Sequence, residues 1–195
     1  MFEFLKKHRI ILASKSPRRA DILKQLKIDF EIMDSEVAEE AFENDGPIED
    51  YVMRISDKKV MNVARKITNG IIIAADTIVT IDGQILGKPK NRDDAKNMLK
   101  KLSDRIHYVY TGVSVVLNPG FIKKSDYEIT KVKFRKLDEN EINYYVDSGE
   151  PMDKAGSYGI QDLPAIFVEK IDGCYFNVVG LPITKVYLLM KSLVK

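Results

Sequence analysis

Ser14-Lys15-Ser16-Pro17-Arg18-Arg19 places two hydroxyls and three cations directly after the apolar run Ile10-Ile11-Leu12-Ala13. The run reads as a buried strand entering a loop, and Ser16 and Pro17 suit the N-cap and first position of a helix with Ile22, Leu23 and Leu26 on one face. Amides at a helix N-terminus favour an anion, hydroxyls donate to its oxygens, and Arg18 or Arg19 can grip it in bidentate fashion, so phosphate is the natural ligand. Capping with solvated arginines is the simpler alternative, and it leaves the arginine pair unexplained.

Asp76 follows five apolar residues, Ile71 to Ala75. A carboxylate at the C-terminal end of a buried strand stands where α/β sheets collect ligands and metals, and a capping turn residue fits the position as well. Thr77 either contacts substrate or begins the next strand. Lys59 shares a helical stripe with Val52, Ile55 and Val63, so it points inward, either to snorkel to a rim or to aim its ammonium into a cleft. The acidic stretch with Glu36, Glu39 and Glu40 is the richest nearby source of hard oxygen ligands, or a solvated loop. Gly87-Lys88-Pro89 resembles a P-loop only superficially, with Pro89 in place of Ser or Thr and Asp82 in place of the first glycine; Lys88 is left as a phosphate contact on a tight turn or a solvated lysine. Small residues from Asp153 to Gln161 let backbone approach a ligand, and the Gln161 amide, donor and acceptor at once, can read a base edge; an irregular surface loop fits the composition too. His8 and His107 read as structural, and Cys174 as packing.

The elements that position these residues follow from periodicity and turn chemistry. A second helix opens near Pro47 with Ile48, Val52, Ile55 and Val63 on one stripe. Ile71 to Ala75 forms a second buried strand ending at Asp76, and Ile78 to Ile81 and Gln84 to Leu86 flank the hairpin signal Asp82-Gly83. Asn91 caps a helix carrying Ala95, Met98, Leu99 and Leu102, and Tyr108 to Leu117 turns at Asn118-Pro119-Gly120 into a strand with Thr130, Val132 and Phe134 on one face. Asp138 and Glu141 form a capping-box pair before Ile142, Tyr145 and Val146, and Ser148-Gly149 ends that helix. A last hairpin is expected at Asp172-Gly173, before Pro182 opens a helix with Ile183, Val186, Tyr187 and Met190 inward. Early alternation of strands and helices, with hairpins in the middle, predicts an α/β fold: a mixed twisted sheet with flanking helices.

The chain has 195 residues, 45% of them hydrophobic, enough for one domain over 1–195 with a core that needs neither disulfides nor a structural metal. Disordered chains and small stapled scaffolds are excluded. Lys and Arg number 31 against 29 Asp and Glu, a net charge of +2, which provides no broad field for nucleic acid or anionic lipid and implies that any anion is held locally. One cysteine excludes a disulfide framework and a Cys-clustered zinc site. No apolar run approaches a membrane span, and Ile10 to Ala13 is too short for a signal peptide core, so a soluble cytoplasmic protein is expected.

Leu12-Ala13-Ser14-Lys15-Ser16-Pro17-Arg18-Arg19, Ala75-Asp76-Thr77, Leu86-Gly87-Lys88-Pro89, the Asp153 to Gln161 run and Gly180-Leu181-Pro182, in this order over nearly the whole chain, closely resemble the Maf family of nucleoside triphosphate pyrophosphatases, also called septum formation inhibitors. The resemblance implies a two-lobed α/β fold similar to the inosine triphosphate pyrophosphatases, a nucleotide cleft between lobes, and usually a homodimer. It also implies hydrolysis of a nucleoside triphosphate to monophosphate and pyrophosphate with a divalent cation, Mg²⁺ or Mn²⁺. Asp76 matches the family's catalytic carboxylate, Glu39 its metal-linked glutamate, and Lys59 and Lys88 its cleft lysines. Catalysis would then fall to Asp76, Lys59 and Glu39, metal binding to Glu39 and Asp76, and substrate binding to Ser14, Arg18, Arg19, Thr77, Lys88, Lys154 and Gln161. Arg18, Thr77 and Gln161 resemble the combination in members acting on dTTP and UTP; the 7-methyl-GTP branch differs there. The competing reading is a regulator of cell division that binds nucleotide or a protein without turnover, which would not need the full carboxylate and cation set. A nucleic-acid binder built on the Arg18-Arg19 turn is disfavoured by the near-neutral charge.

Overall fold

The structure, a computed structural model, describes residues 6–37 and 46–194. Strand β1 (Ile10–Leu12) is wholly buried and runs parallel to β2 (Glu31–Ile32) and β3 (Gly70–Ile81), with Ile11 opposite both Glu31 and Ile72. The unbroken apolar runs of β1 and β3 are what strands covered on both faces require. β3 does not end at Asp76 as the sequence suggests. It runs on through Asp76 and Thr77 to Ile81, because Ile78, Val79 and Ile81 are buried in turn and hold the backbone extended. Asp82 (φ 51) and Gly83 (φ 72) then supply the left-handed pair of a two-residue hairpin into β4 (Gln84–Leu86).

Strands β5 (Ile106–Asn118), β6 (Ile122–Phe134) and β7 (Val168–Asp172) complete a sheet of order β2-β1-β3-β5-β6-β7, with β4 beside β3. β7 is antiparallel to β6, so the sheet is mixed and the α/β class expected from the sequence is the one observed. The helices are α1 (Pro17–Gln25), α2 (Ile48–Ala64), α3 (Arg92–Leu102), α4 (Glu139–Asp147), α5 (Tyr175–Val179) and α6 (Ile183–Leu193). Asn91 Oδ1 accepts the Asp94 amide at the start of α3, and Asp138 with Glu141 forms the capping box of α4.

Two further expectations are corrected. Leu26, placed on the apolar face of α1, lies just beyond the helix and is 48% exposed. Asp172-Gly173 leads into α5 rather than a hairpin, because Thr130 Oγ1 on β6 accepts the Cys174 amide at 3.0 Å and donates to the Cys174 carbonyl at 3.1 Å. One side chain thus satisfies backbone groups that a further strand would have paired.

The chain divides into two compact units, the first comprising 1–76, 111–128 and 180–195, the second 77–110 and 129–179. In the first, α2 presses Val60, Val63 and Ala64 against Ile11, Ile72, Ala74 and Val116. A Cβ added at Gly112 would stand 2.3 Å from the carbonyl carbon and oxygen of Val52, so only glycine admits so close an approach of α2 to β5. Asn118 Nδ2 donates to the carbonyls of Ala64 and Ile67 at 2.8 and 2.7 Å, closing the far end of α2. The Asp57 carboxylate accepts from the Ser114 and Ser125 hydroxyls and from Lys123. Burial pushes its pKa up, but those three hydrogen bonds outweigh burial and hold it below the usual range.

In the second unit His107, Phe134, Tyr158, Phe167 and Tyr145 pack edge to face. His107 is completely buried, with Nε2 2.7 Å from the Tyr158 hydroxyl. Burial pushes its imidazole down from 6.5 to about 3 and raises the Tyr158 phenol.

Gly112→Ala is expected to lower the unfolding free energy by about 3 kcal/mol in urea titrations, since backbone cannot yield as a flexible side chain would; a variant of unchanged stability contradicts the close approach. The unfolded chain protonates His107 near 6.5 and the folded chain only near 3, so the unfolded state binds more protons in that window. Stability from this group is complete above pH 6.5 and falls on acidification by roughly 1.4 kcal/mol per pH unit. His107→Phe should remove that increment from unfolding profiles recorded at stepped pH.

Candidate active site

β3 carries Asp76 to the end of the first unit behind five wholly buried residues, and α2 brings Lys59 to it on the stripe of Val52, Ile55 and Val63. Lys59 Nζ donates to Asp76 Oδ1 at 2.5 Å, and the two side chains are 16% and 15% exposed. Lys59 points inward, as its stripe requires, and its ammonium meets a carboxylate, a partner that neither the rim nor the cleft reading names. Charges so far withdrawn from water are stable only when paired, which ties the approach of α2 and β3 to this contact.

The turn after β1 is held by Ser14. Its buried Oγ accepts the Ser16 amide at 3.2 Å and Arg19 Nη1 at 3.1 Å, while Arg19 Nε donates to the Gly180 carbonyl at 2.7 Å. Ser16 occupies the N-cap of α1 without a side-chain hydrogen bond into the helix, so the expected cap is made by backbone geometry and Pro17 alone. Burial pushes the Arg19 guanidinium down to about 10, Asp76 pulls it up, and Arg18 pushes it down again. It stays charged at neutral pH. Arg19 thus lies in the fields of Asp76 and of its neighbour Arg18, so Asp76 has the Lys59 ammonium bonded to it and the Arg19 charge acting on it, a positive surplus suited to a polyanion.

The acidic stretch contributes less than its composition suggests. Glu36 is exposed and pairs with Lys66 at 2.7 Å, and Lys15 pairs with Asp34 at 2.7 Å. Glu39 and Glu40 lie outside the described residues. Among the described residues no three of His, Cys, Asp and Glu gather as a metal cluster, and no helix is long and apolar enough to cross a membrane.

In the second unit Thr77 is half-buried on β3 and Lys88 is exposed on the turn after β4. The 153–161 run is not an irregular surface loop. It is built of short 3-10 turns, with Lys154 and 156–160 buried and with Gly156 (φ 66) and Ser157 (φ 63) both left-handed. The Gly156 amide donates to the Gly87 carbonyl at 3.0 Å, joining this run to the Lys88 turn. Lys154 lies across Gly159, where a Cβ would meet its Cε at 2.8 Å. Its ammonium donates to the Glu150 carbonyl at 2.5 Å and to Asp153 at 2.9 Å, and faces Asp162 at 3.7 Å. Lys154 thus braces the loop, while Gln161 is exposed at its end.

Sequence reasoning did not single out Asp57, Ser114, Gly112 or Tyr158. Asp57, two residues before Lys59 on α2, carried a detectable signal: a carboxylate one residue from the buried Ser56, on a helix otherwise read for its apolar stripe.

The profile of Maf-like proteins matches residues 9–193. The chain is 50% identical over 184 residues to a dTTP/UTP pyrophosphatase of Thermoanaerobacter sp. (strain X514), covering 94% of this chain and 95% of that protein. It is 52% identical over 179 residues to one of Carboxydothermus hydrogenoformans (92% and 95% covered) and 49% identical over 185 residues to one of Clostridium tetani (94% and 96%). Among solved structures it is similar to the Staphylococcus aureus Ham1 protein, with a TM-score of 0.44 and 15% identity over 65% of this chain and 71% of that one. A nucleoside-triphosphatase, dITP/XTP pyrophosphatase, of Mycobacterium abscessus gives a TM-score of 0.39 at 15% identity, with 66% and 74% covered.

Lys59→Met strands the Asp76 carboxylate and is expected to cost about 2 kcal/mol of unfolding free energy. The double variant Lys59→Met/Asp76→Leu should recover most of that loss in a double-mutant cycle. Additive losses contradict a direct contact.

Proposed function

The chain belongs to the Maf family, and from that membership we propose that it hydrolyses dTTP and UTP, each to its monophosphate and pyrophosphate. The observation that carries the chemistry is the positive surplus around one carboxylate: Lys59 bonded to Asp76 and Arg19 within its field. A regulator that binds without turnover is disfavoured by relatives of about half identical sequence that are named as pyrophosphatases.

The Ser14 hydroxyl, Arg18, Arg19, Lys59 and Lys88 hold the phosphate chain, and their charges stabilise the negative charge that develops as the anhydride opens. Ser14 keeps Arg19 aimed, and the Gly180 carbonyl fixes the other side of the guanidinium. Asp76 orients water or takes its proton, within reach of Lys59. Thr77 and Gln161 read the base; the glutamine amide offers one donor and one acceptor to the uracil edge. Lys154 serves the substrate by shaping the loop that ends in Gln161.

Asp76 is a hard oxygen donor of low exposure, and this donor chemistry fits Mg²⁺ or Mn²⁺. Asp76 would hold the ion with Glu39. When bound, a divalent cation supplies Lewis-acid polarisation of a phosphate oxygen. The near-balanced composition supports free nucleotides rather than nucleic acid as substrate. The remaining parts of the proposal are a single functional domain over 1–195, a homodimer and a cytoplasmic setting.

Asp76→Asn tests the assignment. Pyrophosphate release from dTTP and UTP, with Mg²⁺ or Mn²⁺ present, should fall at least about 100-fold while the fold is kept. Retained activity contradicts Asp76 as the reacting carboxylate. Turnover of 7-methyl-GTP alone by the wild type keeps the reaction and overturns the base assignment.

A further inference from the structure

The second unit contains a buried polar bond that the reaction does not use. His107 on β5 is wholly buried, its Nδ1 has no hydrogen-bond partner, and its Nε2 meets the Tyr158 hydroxyl at 2.7 Å. Phe134 stands edge to face against both rings at 4.9 and 4.8 Å. An apolar ring at 107 would pack in this cluster without a stranded ring nitrogen. The imidazole therefore carries a burial cost that only its bond to Tyr158 offsets, which makes that bond a device for location rather than for stability.

What it locates is the loop. Tyr158 follows two left-handed residues, Gly156 and Ser157, and precedes Gly159, which is pressed under Lys154. From this stretch the Ser157 hydroxyl also makes a weak bond to Met98 Sδ at 3.1 Å, while the ammonium of Lys154 bonds to the Glu150 carbonyl and Asp153 and faces Asp162, all close in sequence. The Gly156 amide adds its tie to the Gly87 carbonyl, so the position of Tyr158 also bears on the Lys88 turn. A glutamine amide, turned by half a rotation, pairs with the edge of uracil or of cytosine alike. Its discrimination rests on where the backbone holds it.

We propose that the His107–Tyr158 hydrogen bond is the positioning element of nucleobase selection: it fixes the run from Lys154 to Gln161 and thereby makes the enzyme favour uracil and thymine over cytosine. This rests on the reading that the loop contacts the base.

The test compares kcat and KM for dTTP and dCTP, with urea unfolding alongside, in wild type, Tyr158→Phe and His107→Phe/Tyr158→Phe. Tyr158→Phe keeps the ring packing but strands both imidazole nitrogens, so stability falls. The double variant, apolar at both positions, recovers stability. Both variants are expected to raise KM for dTTP more than they lower kcat and to lose about tenfold in the preference for dTTP over dCTP, the scale set by a small misplacement. Unchanged preference in both, with only stability moving, overturns the proposal. Gln161→Ala separates the two readings. If it relaxes the preference while Tyr158→Phe does not, the positioning role falls and the base contact stands. If Tyr158→Phe relaxes it and Gln161→Ala does not, the positioning role stands and another residue of the loop reads the base.

Discussion

The contact between Lys59 and Asp76 sets the terms for the first unit. Two opposite charges, each mostly withdrawn from water, meet at 2.5 Å from a helix and a strand 17 positions apart in sequence, and such a pair is tolerated only where geometry is held closely. The surroundings supply that precision. Gly112 lets α2 settle against β5, Asn118 takes up two carbonyls at its C-terminal end, and Asp57 gathers hydroxyls from both β5 and β6. Apolar packing of Val60, Val63 and Ala64 brings the helix to the sheet; the polar contacts fix where along the sheet it rests.

The same contact bears on how a protein of net charge +2 would hold the triphosphate proposed as its substrate. Lys59 is matched by Asp76, while Arg19 adds charge within the field of that carboxylate and is buried deeply enough to feel the cost. Elsewhere surface cations pair with carboxylates, as in Lys66 with Glu36, Lys15 with Asp34 and Arg9 with Glu31. The surplus is local, so the attraction is local too.

Much of this was legible in the sequence because it depends on local rules. The apolar runs of β1 and β3, the cap at Asn91, the box at Asp138 and Glu141, the Asp82-Gly83 turn and the stripe that turns Lys59 inward all follow from spacing within a few residues. What was not legible depends on partners far along the chain. β3 continues past Asp76 because tertiary packing buries Ile78 and Val79; Asp172-Gly173 starts a helix because Thr130 captures Cys174; and Lys154 reads as a free cation until its three acceptors are seen. The 153–161 run looked like a surface loop since nothing local announces that left-handed backbone at Gly156 and Ser157 folds it into the core of its unit. The hydrogen bond of His107 to Tyr158 spans 51 positions, beyond any periodicity.

The most direct measurement is the identity of the products. Purified protein incubated with dTTP or UTP and Mg²⁺ or Mn²⁺, its products separated by anion-exchange chromatography, should yield dTMP or UMP and pyrophosphate in equal amounts. Diphosphate nucleotide with free phosphate, or intact triphosphate after prolonged incubation of folded protein, would contradict a reaction centre built on Asp76 and its cations.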